Sequence, residues 1–355
     1  MFSVTNDRGF VPQSEQFEGR DMVGEDIKAY KIIHSNDFAY NPARINVGSI
    51  AMYTGEKPCM ISSLYVCFKT TKEVNNEWLM QLLKTPKMNY YYNVNGEGGV
   101  RVYLFYPNFA RIRMSIPKIE EQKKIAKLLN LIDERIATQN KIIDKLQSLI
   151  KGLNNHLCQQ HGNEIETSFA DLGVSYSGLS GKTAADFGSG KPFITYLNVY
   201  SNNVIDETSY QYVRMGNNEK QSIVRYGDVL FTLSSETPEE VGIGSVYLGN
   251  QEVYLNSFCF GIHITNTQKS FSPYLSYYIS TTQFRKFIYP FAQGSTRFNL
   301  CKADFEKATI KLPTLENQKR IYKALKSLSD KIMVEKATLE QYSRQKQYLL
   351  RQMFI

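Results

Sequence analysis

The sequence predicts an α+β protein with two strand-rich domains in tandem, each followed by a long helix, and with the two helices pairing as an antiparallel coiled coil. Three observations predict this fold. The two halves of the 355-residue chain match at one constant offset. Short runs of alternating apolar and polar residues occur in each half. An apolar heptad pattern follows the runs in both halves.

The repeat is clearest where each strand-rich stretch ends. Ile116-Pro-Lys-Ile-Glu-Glu-Gln-Lys-Lys-Ile125 matches Leu312-Pro-Thr-Leu-Glu-Asn-Gln-Lys-Arg-Ile321. The same offset pairs further residues, namely Gly98 with Gly294, Arg101 with Arg297, Leu104 with Leu300, Phe109 with Phe305 and Trp78 with Tyr274. A register kept over so long a stretch indicates a tandem duplication.

Within the first repeat, alternation over Ser63–Thr70 and Val100–Tyr106 predicts strands, and the Gly/Asn-rich stretch Asn93–Gly99 predicts a loop. A short helix is predicted around Glu77–Lys84, with its counterpart at Tyr274–Ser280. Strands and short helices therefore mix within each domain.

The long helices are predicted from seams whose steps alternate between four and three residues. The first seam is Ile125, Leu129, Ile132, Ile136, Gln139, Ile143, Leu146, Ile150 and Leu153. The second is Ile321, Leu325, Leu328, Ile332, Glu335, Leu339, Tyr342, Lys346 and Leu349. Two matched helices in one chain are expected to pack on each other, and closed pairing of repeats makes them antiparallel. The alternative is that each helix packs only on its own domain.

Polar residues interrupt both seams at the same place, at Gln139 and Glu335. They mark either a polar layer that fixes register or a solvated edge, and the pattern does not decide between the two. A helix of 30–35 residues spans about 45–52 Å. That length somewhat exceeds one turn of B-DNA, about 34–36 Å.

Residues 154–167 are polar, lack a seam and are predicted to form a linker. His156, Cys158 and His161 lie there, but a metal site would need a fourth ligand, so no metal site is predicted. The predicted organisation is a first domain at 1–115, a central helix at 116–153, the linker at 154–167, a second domain at 168–312 and a C-terminal helix at 313–355.

Composition excludes several classes of protein. The formal net charge is +8 and the sequence pI is about 9.0, which suits a polyanionic partner without proving one. No apolar run approaches the roughly 18 residues of a membrane span, and the N-terminus has no secretory pattern. Five scattered cysteines without a Cys-x-x-Cys motif indicate reduced thiols, so a cytoplasmic protein is expected.

Catalytic motifs are missing, so no catalytic residue is predicted. Asn41-Pro-Ala-Arg44 lacks the second proline and the aromatic residue of the adenine-binding motif of amino-methyltransferases. A nuclease site drawn from Asp7, Asp26 and Lys28 has loose spacing and no counterpart in the second repeat. The sequence is typical of a binding protein rather than an enzyme.

These features together resemble the specificity subunits of Type I restriction-modification systems. The junction signature of that family matches Pro117-Lys-Ile-Glu-Glu-Gln122-Lys-Lys-Ile125 and Pro313-Thr-Leu-Glu-Asn-Gln318-Lys-Arg-Ile321. The Gly-Asp-hydrophobic strand of the family matches Gly227-Asp-Val-Leu-Phe231. The resemblance covers essentially the whole chain.

The resemblance implies two target-recognition domains that each recognise half of a split, asymmetric site in double-stranded DNA, with the helices acting as spacers. It implies two methyltransferase subunits that use S-adenosylmethionine to methylate adenine. It also implies restriction subunits that cleave with ATP and Mg²⁺. None of these cofactors is expected on this chain, which would be a non-catalytic subunit.

One departure from the family pattern concerns the N-terminus. The second half opens with Phe169-Ala-Asp-Leu-Gly173 and continues to Lys191-Pro-Phe-Ile194, whereas Met1-Phe-Ser-Val-Thr5 aligns only with the stretch after Phe193. The first domain is therefore expected to be shortened and to lack an edge. The alternative function is a helical scaffold for methyltransferase subunits with an inert first domain.

Candidate DNA-contacting residues lie in loops and at repeated basic positions. They are Asn41, Arg44, Asn46 and Arg101 in the first domain and Lys182, Lys191, Ser234, Ser235, Thr237, Thr296 and Arg297 in the second. An arginine can donate two hydrogen bonds to guanine, and an asparagine can pair with adenine.

Each candidate has an alternative role. The alternative for the asparagines is to shape turns. The alternative for the paired Arg101 and Arg297 is a structural salt bridge, and that for the lysines is a solvated position. The loop that begins at Ser234 is acidic, so recognition there would depend on its hydroxyl groups.

Overall fold

The computed structural model describes residues 1–16, 29–99, 101–161, 164–216 and 218–354. In the first half the strands are β1 (Phe2–Thr5), β2 (Gly9–Pro12), β3 (Lys31–Ile33), β4 (Phe38–Tyr40), β5 (Ile50–Met52), β6 (Cys59–Ile61) and β7 (Val66–Phe68). The helices there are α1 (Gln13–Gln16), α2 (Asn76–Leu83), α3 (Pro86–Asn95), α4 (Tyr106–Phe109) and the long α5 (Ile119–His161).

In the second half the strands are β8 (Ile165–Thr167), β9 (Gly173–Ser177), β10 (Phe187–Ile194), β11 (Gln211–Val213), β12 (Val229–Thr232), β13 (Ser234–Ser235), β14 (Gly244–Val246), β15 (Tyr254–Leu255), β16 (Cys259–Ile264), β17 (Ala292–Gln293), β18 (Phe298–Leu300) and β19 (Ile310–Leu312). The helices are α6 (Phe169–Leu172), α7 (Tyr196–Ser201), α8 (Ser272–Tyr278), α9 (Thr282–Ile288), α10 (Lys302–Lys307) and the long α11 (Leu315–Met353).

The chain divides into two compact units. Unit 1 contains Met1–Lys141 together with Lys336–Ile355, and unit 2 contains Ile142–Glu335. Each unit therefore combines one strand-rich domain with a part of both long helices.

Unit 1 contains two small sheets. Their strand orders are β2-β1-β6-β3 and β5-β4-β7, with β1 parallel to β6. The predicted short helix is confirmed as α2, which buries Trp78 and Leu82 against the second sheet and against Leu129 of α5.

Unit 2 repeats this plan with additional strands. The sheet β11-β10-β15 corresponds to the first sheet of unit 1, and β14-β12-β16-β9 corresponds to the second with β9 added. An aromatic core fills the domain, and its rings are Phe169, Phe231, Phe260, Phe284 and Phe305. The other predicted short helix is confirmed as α8.

The long helices run antiparallel within each unit, as predicted. In unit 1, Leu129 near the start of α5 shares a core with Phe354 at the end of α11, and Lys346 bonds to Asp133 at 2.6 Å. In unit 2, Leu157 near the end of α5 packs on the cluster that contains Ile321 near the start of α11. Opposite ends of the helices meet in both units, which requires antiparallel packing.

The two polar seam residues are shielded from solvent. Gln139 is only 6% exposed, and the Glu335 side chain is 12% exposed and pairs with Lys331 at 2.5 Å. A solvated edge would leave both exposed, so the solvated-edge alternative is not supported. That the two residues form a polar layer that fixes the register stays a prediction.

A buried glutamine ties each long helix to its domain. The Gln122 carboxamide accepts a hydrogen bond from Asn75 N at 2.7 Å and donates to Glu73 O and Pro117 O at 3.0 and 2.8 Å. Because Asn75 is the N-cap residue of α2, this one side chain joins the start of α5 to the start of α2. We call this arrangement the glutamine clamp.

The same clamp occurs in the second repeat. The Gln318 carboxamide accepts from Phe271 N at 2.8 Å, and it donates to Lys269 O at 2.8 Å and to Pro313 O at 2.9 Å. Phe271 is the N-cap residue of α8. The repeated signature therefore contains a glutamine because its carboxamide both accepts and donates hydrogen bonds at this position.

The predicted linker at 154–167 is wrong over its first eight residues, because α5 continues to His161. Asn154 is buried and donates to Tyr277 O at 2.8 Å, and Cys158 is buried in the core of unit 2. The helix therefore continues through residues of polar composition, and the amide group of Asn154 finds an acceptor in the second domain.

The strand predicted at Val100–Tyr106 is also wrong. Only Glu97 and Tyr103 pair, as an isolated bridge, and α4 already begins at Tyr106. Pro107 in the first turn of α4 favours the helix and cannot donate to a sheet ladder. Val100, like the Asp26 and Lys28 considered for a nuclease, lies outside the described residues.

Removing the clamp in unit 1 should destabilise that unit. Gln122→Ala leaves Asn75 N and two carbonyl groups without their partner, so the free energy of unfolding should fall by about 2–4 kcal/mol. Urea unfolding followed by Trp78 fluorescence measures this, because Trp78 is the single tryptophan and is buried in unit 1. Gln341→Ala, at an exposed position of α11, is the control. Equal effects of the two substitutions would contradict the clamp.

Candidate nucleic-acid interface

The recognition loop of the first domain is the segment 41–49 between β4 and β5. Asn41 Oδ1 accepts from Ala43 N at 3.0 Å, and the backbone of Arg44 bonds to Asn41 and Ser49. Ile45 is buried in the core and anchors the loop. The Arg44 guanidinium is exposed and has no hydrogen bond or ion pair within the described residues. The loop is thus held from inside and leaves Arg44 available.

The two asparagines of this loop differ in their hydrogen bonds. Asn41 shapes the turn with its side-chain oxygen, as the alternative role proposed, and its amide nitrogen is left for a ligand. Asn46 Nδ2 donates to Asn93 Oδ1 of α3 at 3.1 Å. Both side chains are half-buried at the loop surface.

Arg101 is presented by a tight turn next to this loop. Glu97 and Tyr103 exchange two backbone hydrogen bonds, of 2.9 and 2.8 Å, that close the turn. Gly98 has φ of +106°, and a Cβ there would lie 2.3 Å from Arg101 O, so only glycine is accommodated. Leu104 N donates to Pro42 O at 3.0 Å, which fixes the turn against the recognition loop.

The loop and the turn together line an open cleft of about 830 Å³. Its lining residues are Asn41, Pro42, Ala43, Arg44, Asn46, Val47, Leu64, Arg101, Val102, Tyr103 and Phe105. All four candidates of the first domain therefore lie on one surface. A second cavity of about 720 Å³ shares Asn41 and Arg44 and extends along the β1–β2 hairpin.

The prediction from sequence did not include the apolar residues of this cleft. Leu64, Val47 and Phe105 are 75%, 55% and 48% exposed. Tyr103 and Phe105 flank the buried Leu104, so the alternation that predicted a strand also marked two outward-facing aromatic residues. Exposed apolar side chains beside arginines are suited to contact bases as well as phosphates.

The second domain presents Arg297 in the same way. Gly294 has φ of +138°, and a Cβ there would lie 2.1 Å from Arg297 O. Leu300 N donates to Leu233 O at 2.8 Å, as Leu104 N does to Pro42 O. Thr296 and Arg297 are both exposed in the turn between β17 and β18. The repeated Gly-x-x-Arg spacing thus follows from one close backbone contact.

Neither repeated arginine forms an ion pair with a described residue, so the salt-bridge alternative has no support there. The Arg297 guanidinium lies near Tyr196. Burial raises the pKa of Tyr196, and Arg297 opposes that rise. Both arginines remain available to an anionic ligand.

The loop of the second domain has a different chemistry. Ser234 and Ser235 are buried because β13 pairs with β18, and Ser235 Oγ donates to Glu240 at 3.2 Å. Thr237 is exposed. The β13–β18 pairing places the loop that begins at Ser234 beside the turn that carries Thr296 and Arg297. The same pairing leaves the two serines buried.

Arg285 holds this acidic loop in place. Its guanidinium donates to Glu239 O, Val241 O and Gly242 O at 2.6, 2.7 and 3.0 Å. Hydrogen bonds to Glu240, first from Tyr200, lower the pKa of that carboxyl group. The acidic loop is therefore held in place, and it leaves Glu236 and Glu239 exposed.

The two remaining candidates, Lys182 and Lys191, have different surroundings. Lys182 donates to Glu219 and to Arg214 O, and its side chain is only 8% exposed. The Gly216 N–H, followed by the Lys182 ammonium, lowers the pKa of Glu219 to about 2. Lys191 is exposed on β10 and forms no ion pair with another described residue. The geometry favours a structural role for Lys182.

Within the part of the chain that the structure describes, no group of three or more His, Cys, Asp or Glu side chains could hold a metal ion. Cys158 instead lies 3.7 Å from Gln283 Oε1. None of the described helices is long and apolar enough to cross a membrane.

Comparison with known families decides the class of this protein. The model of the Type I restriction modification DNA specificity domain matches residues 25–148 and 182–342, once in each repeat. The chain belongs to this family. It is a specificity subunit of a Type I restriction-modification system with the tandem fold predicted above, and membership favours DNA specificity over the helical scaffold.

Relatives of this specificity subunit cover most of its length. The putative type I restriction enzyme MjaX specificity subunit of Methanocaldococcus jannaschii is 22% identical over 358 residues, 93% of this chain and 80% of its own. The type I restriction enzyme MjaVIII specificity subunit of the same organism is 23% identical over 338 residues, 90% of this chain and 78% of its own.

Solved structures show the same fold. A chain from a study of complex assembly and conformational transition of the type I R-M system aligns with a TM-score of 0.59 and 17% identity, covering 91% of this chain and 83% of that chain. The Type-I restriction-modification S subunit from M. genitalium gives 0.55 and 12%, with 91% and 83% coverage.

Arg44→Ala should weaken DNA binding and relax base preference at one position. Loss of a bidentate contact to a base costs about 1–3 kcal/mol. Competition binding with duplexes substituted at each base pair measures the preference. Arg113→Ala, which removes the same charge at an exposed position outside the cleft lining, is the control. An unchanged preference profile in Arg44→Ala would contradict base recognition by this side chain.

The two lysines of the second domain should behave differently. Lys191→Ala should lower the slope of log affinity against log salt by about 0.9, because one phosphate contact is lost. Lys182→Ala should leave that slope unchanged and instead destabilise unit 2, because it removes the partner of Glu219. Fluorescence anisotropy across a salt series measures both slopes. A lower slope in Lys182→Ala alone would reverse this assignment.

Proposed function

We propose that this specificity subunit selects a split, asymmetric site in double-stranded DNA through two surfaces of similar build. The observation that carries the proposal is the repeated turn, which presents the exposed Arg101 and Arg297 beside a loop that joins two strands. Basic side chains without a protein partner are suited to phosphate contacts, which give affinity and position a protein on the DNA duplex.

Base recognition in the first domain is assigned to the cleft. Arg44 can donate to guanine O6 and N7, and the amide groups of Asn41 and Asn46 can pair with adenine. The exposed Leu64 and Phe105 are suited to the methyl group of thymine. The first domain therefore offers both polar and apolar contacts to a half-site.

The second domain is expected to recognise a different half-site. Its loop carries Glu236 and Glu239, which are exposed, and carboxylates accept from cytosine N4 rather than donate to guanine. Ser234 and Ser235 are buried, whereas the predicted Thr237 and Thr296 are exposed and can offer their hydroxyl groups. Different loop chemistry on a shared fold supports an asymmetric target.

The chemical steps are assigned to partner subunits. Two methyltransferase subunits would methylate adenine with S-adenosylmethionine, and restriction subunits would cleave with ATP and Mg²⁺. The specificity subunit would bind none of these cofactors and would act in the cytoplasm as a non-catalytic subunit. The paired helices would set the unspecified spacer between the half-sites.

A methylome tests this proposal. The chain is expressed with its methyltransferase subunit in a host without adenine methylation, and modified adenines are mapped by single-molecule sequencing. We expect a motif of two short specified blocks around a fixed gap. The methyltransferase subunit expressed alone is the control. A co-purifying pair that modifies no adenine, or a continuous motif without a gap, would contradict the proposal.

A further inference from the structure

A short turn with an exposed apolar residue joins two corresponding strands in each domain. In the first domain the turn joins β6 to β7 and carries Leu64, which is 75% exposed. In the second it joins β15 to β16 and carries Phe258, which is 56% exposed. The strands correspond because β6 and β15 run parallel to β1 and β10, and because β7 and β16 pair antiparallel with β4 and β12. The two turns therefore occupy the same place in the repeat.

The same hydrogen bonds build both turns. Ser62 Oγ accepts from Leu64 N at 3.4 Å, and Ser62 O accepts from the next N–H group, that of Tyr65, at 3.2 Å. Asn256 Oδ1 accepts from Phe258 N at 2.9 Å, and Asn256 O accepts from the following N–H group at 3.0 Å. A short polar side chain thus fixes the backbone of the apolar residue two positions later.

Each turn is also anchored in the core. The residue after Leu64 is Tyr65, which is buried and whose hydroxyl group accepts a hydrogen bond from Val4 N at 3.2 Å. The residue after Phe258 is Cys259, which is 0% exposed. An exposed side chain on a backbone that is held in this way loses little conformational freedom when it binds a ligand.

In the first domain Leu64 lies beside candidate DNA-contacting arginines. It lines the cleft together with Arg44 and Arg101, and it lines the second cavity together with Arg44. An anionic ligand that these arginines bind is therefore within reach of Leu64.

In the second domain Phe258 is linked to the surface that carries Arg297. Phe258 O accepts from Leu233 N at 2.9 Å, and Leu233 O accepts from Leu300 N at 2.8 Å. Leu300 ends β18, which begins directly after Arg297. Phe258, the start of the acidic loop and the arginine turn thus share one edge of the domain.

The apolar turn is repeated although the recognition loops differ. The loop at 41–49 carries Arg44, whereas the loop that begins at Ser234 is acidic. An element shared by two surfaces that select different bases is suited to a contact that does not depend on base identity. The arginine turn can make such a contact with phosphates, which an apolar side chain cannot do. The faces of the stacked bases are the apolar surface of DNA that Leu64 and Phe258 can bind.

We propose that Leu64 and Phe258 each enter the base stack of one half-site and partly unstack one base-pair step. The inference rests on the proposed function and adds to it a contact that is common to both half-sites. Phenylalanine and leucine are among the side chains that DNA-binding proteins insert between base pairs. Pyrimidine–purine steps open most easily, and a TA step also supplies the thymine contact assigned above to Leu64.

Unstacking is measured with 2-aminopurine, an adenine analogue whose fluorescence rises when it leaves the base stack. The full chain with its methyltransferase subunit is bound at saturation to duplexes that carry the motif found in the methylome. The analogue replaces the adenine of one A·T pair at a time in and beside each half-site, the modified adenine excepted. We expect a rise on binding at one step of each half-site. Selective binding without any rise overturns this inference alone, whereas binding without site preference contradicts the proposed function.

Substitution of the apolar residue should remove the rise in its own half-site only. Phe258→Ala should abolish it in one half-site and Leu64→Ala in the other, while anisotropy shows that the duplex stays bound. Phe258→Leu, which places the residue type of the first domain in the second, should keep it. Tyr226→Ala is the control, because it removes an aromatic side chain of unit 2 that is 59% exposed. A rise that persists in either alanine variant, or that is lost in Tyr226→Ala, overturns the proposal.

Two rival contacts predict different results. Uracil in place of each thymine removes the methyl group and keeps the stacked base, so the rise should persist in uracil-substituted duplexes. Its loss there would mean that the side chains contact only methyl groups, against the proposal. Alanine variants that keep the rise but no longer co-purify with the methyltransferase subunit would show that the turns bind that protein, which also overturns the proposal.

Discussion

The fold depends on the glutamine clamp at the start of each long helix. A carboxamide can accept and donate at once, and Gln122 and Gln318 use both capacities on backbone groups of the domain and of the preceding proline. Buried backbone groups need partners, so the position and orientation of each helix are fixed at one point. Each helix completes the core on which the strands of its domain pack. Those strands in turn position the recognition loop and the arginine turn.

Much of this arrangement could be predicted from the sequence, because periodic patterns of residues indicate it. The heptad seams and the repeated signature gave the helices and the order of the domains. The end of α5 could not be predicted, since Asn154 is buried only because Tyr277 O accepts its hydrogen bond. Partners distant in sequence determine such positions, and composition does not show them.

The candidate site, too, could be predicted from the sequence only in part. Arg101 and Arg297 were predicted from the register, and their geometry repeats because a glycine three residues earlier contacts the arginine carbonyl. Lys182 has the same charge as Lys191, but Glu219 and Arg214 O take up its donors. Residue type gave the charge, whereas only the three-dimensional neighbours show which charges remain available to DNA.

The division into units has a consequence for synthesis on the ribosome. Unit 2 is continuous in the chain, whereas unit 1 needs the last residues, with Phe354 packed 5.8 Å from Trp78 between ring centroids. The second domain can therefore fold once the chain has been made as far as Glu335, whereas the first also needs residues 336–354. A nascent chain stalled just after Glu335 would expose the apolar surface of the first domain to chaperones and proteases.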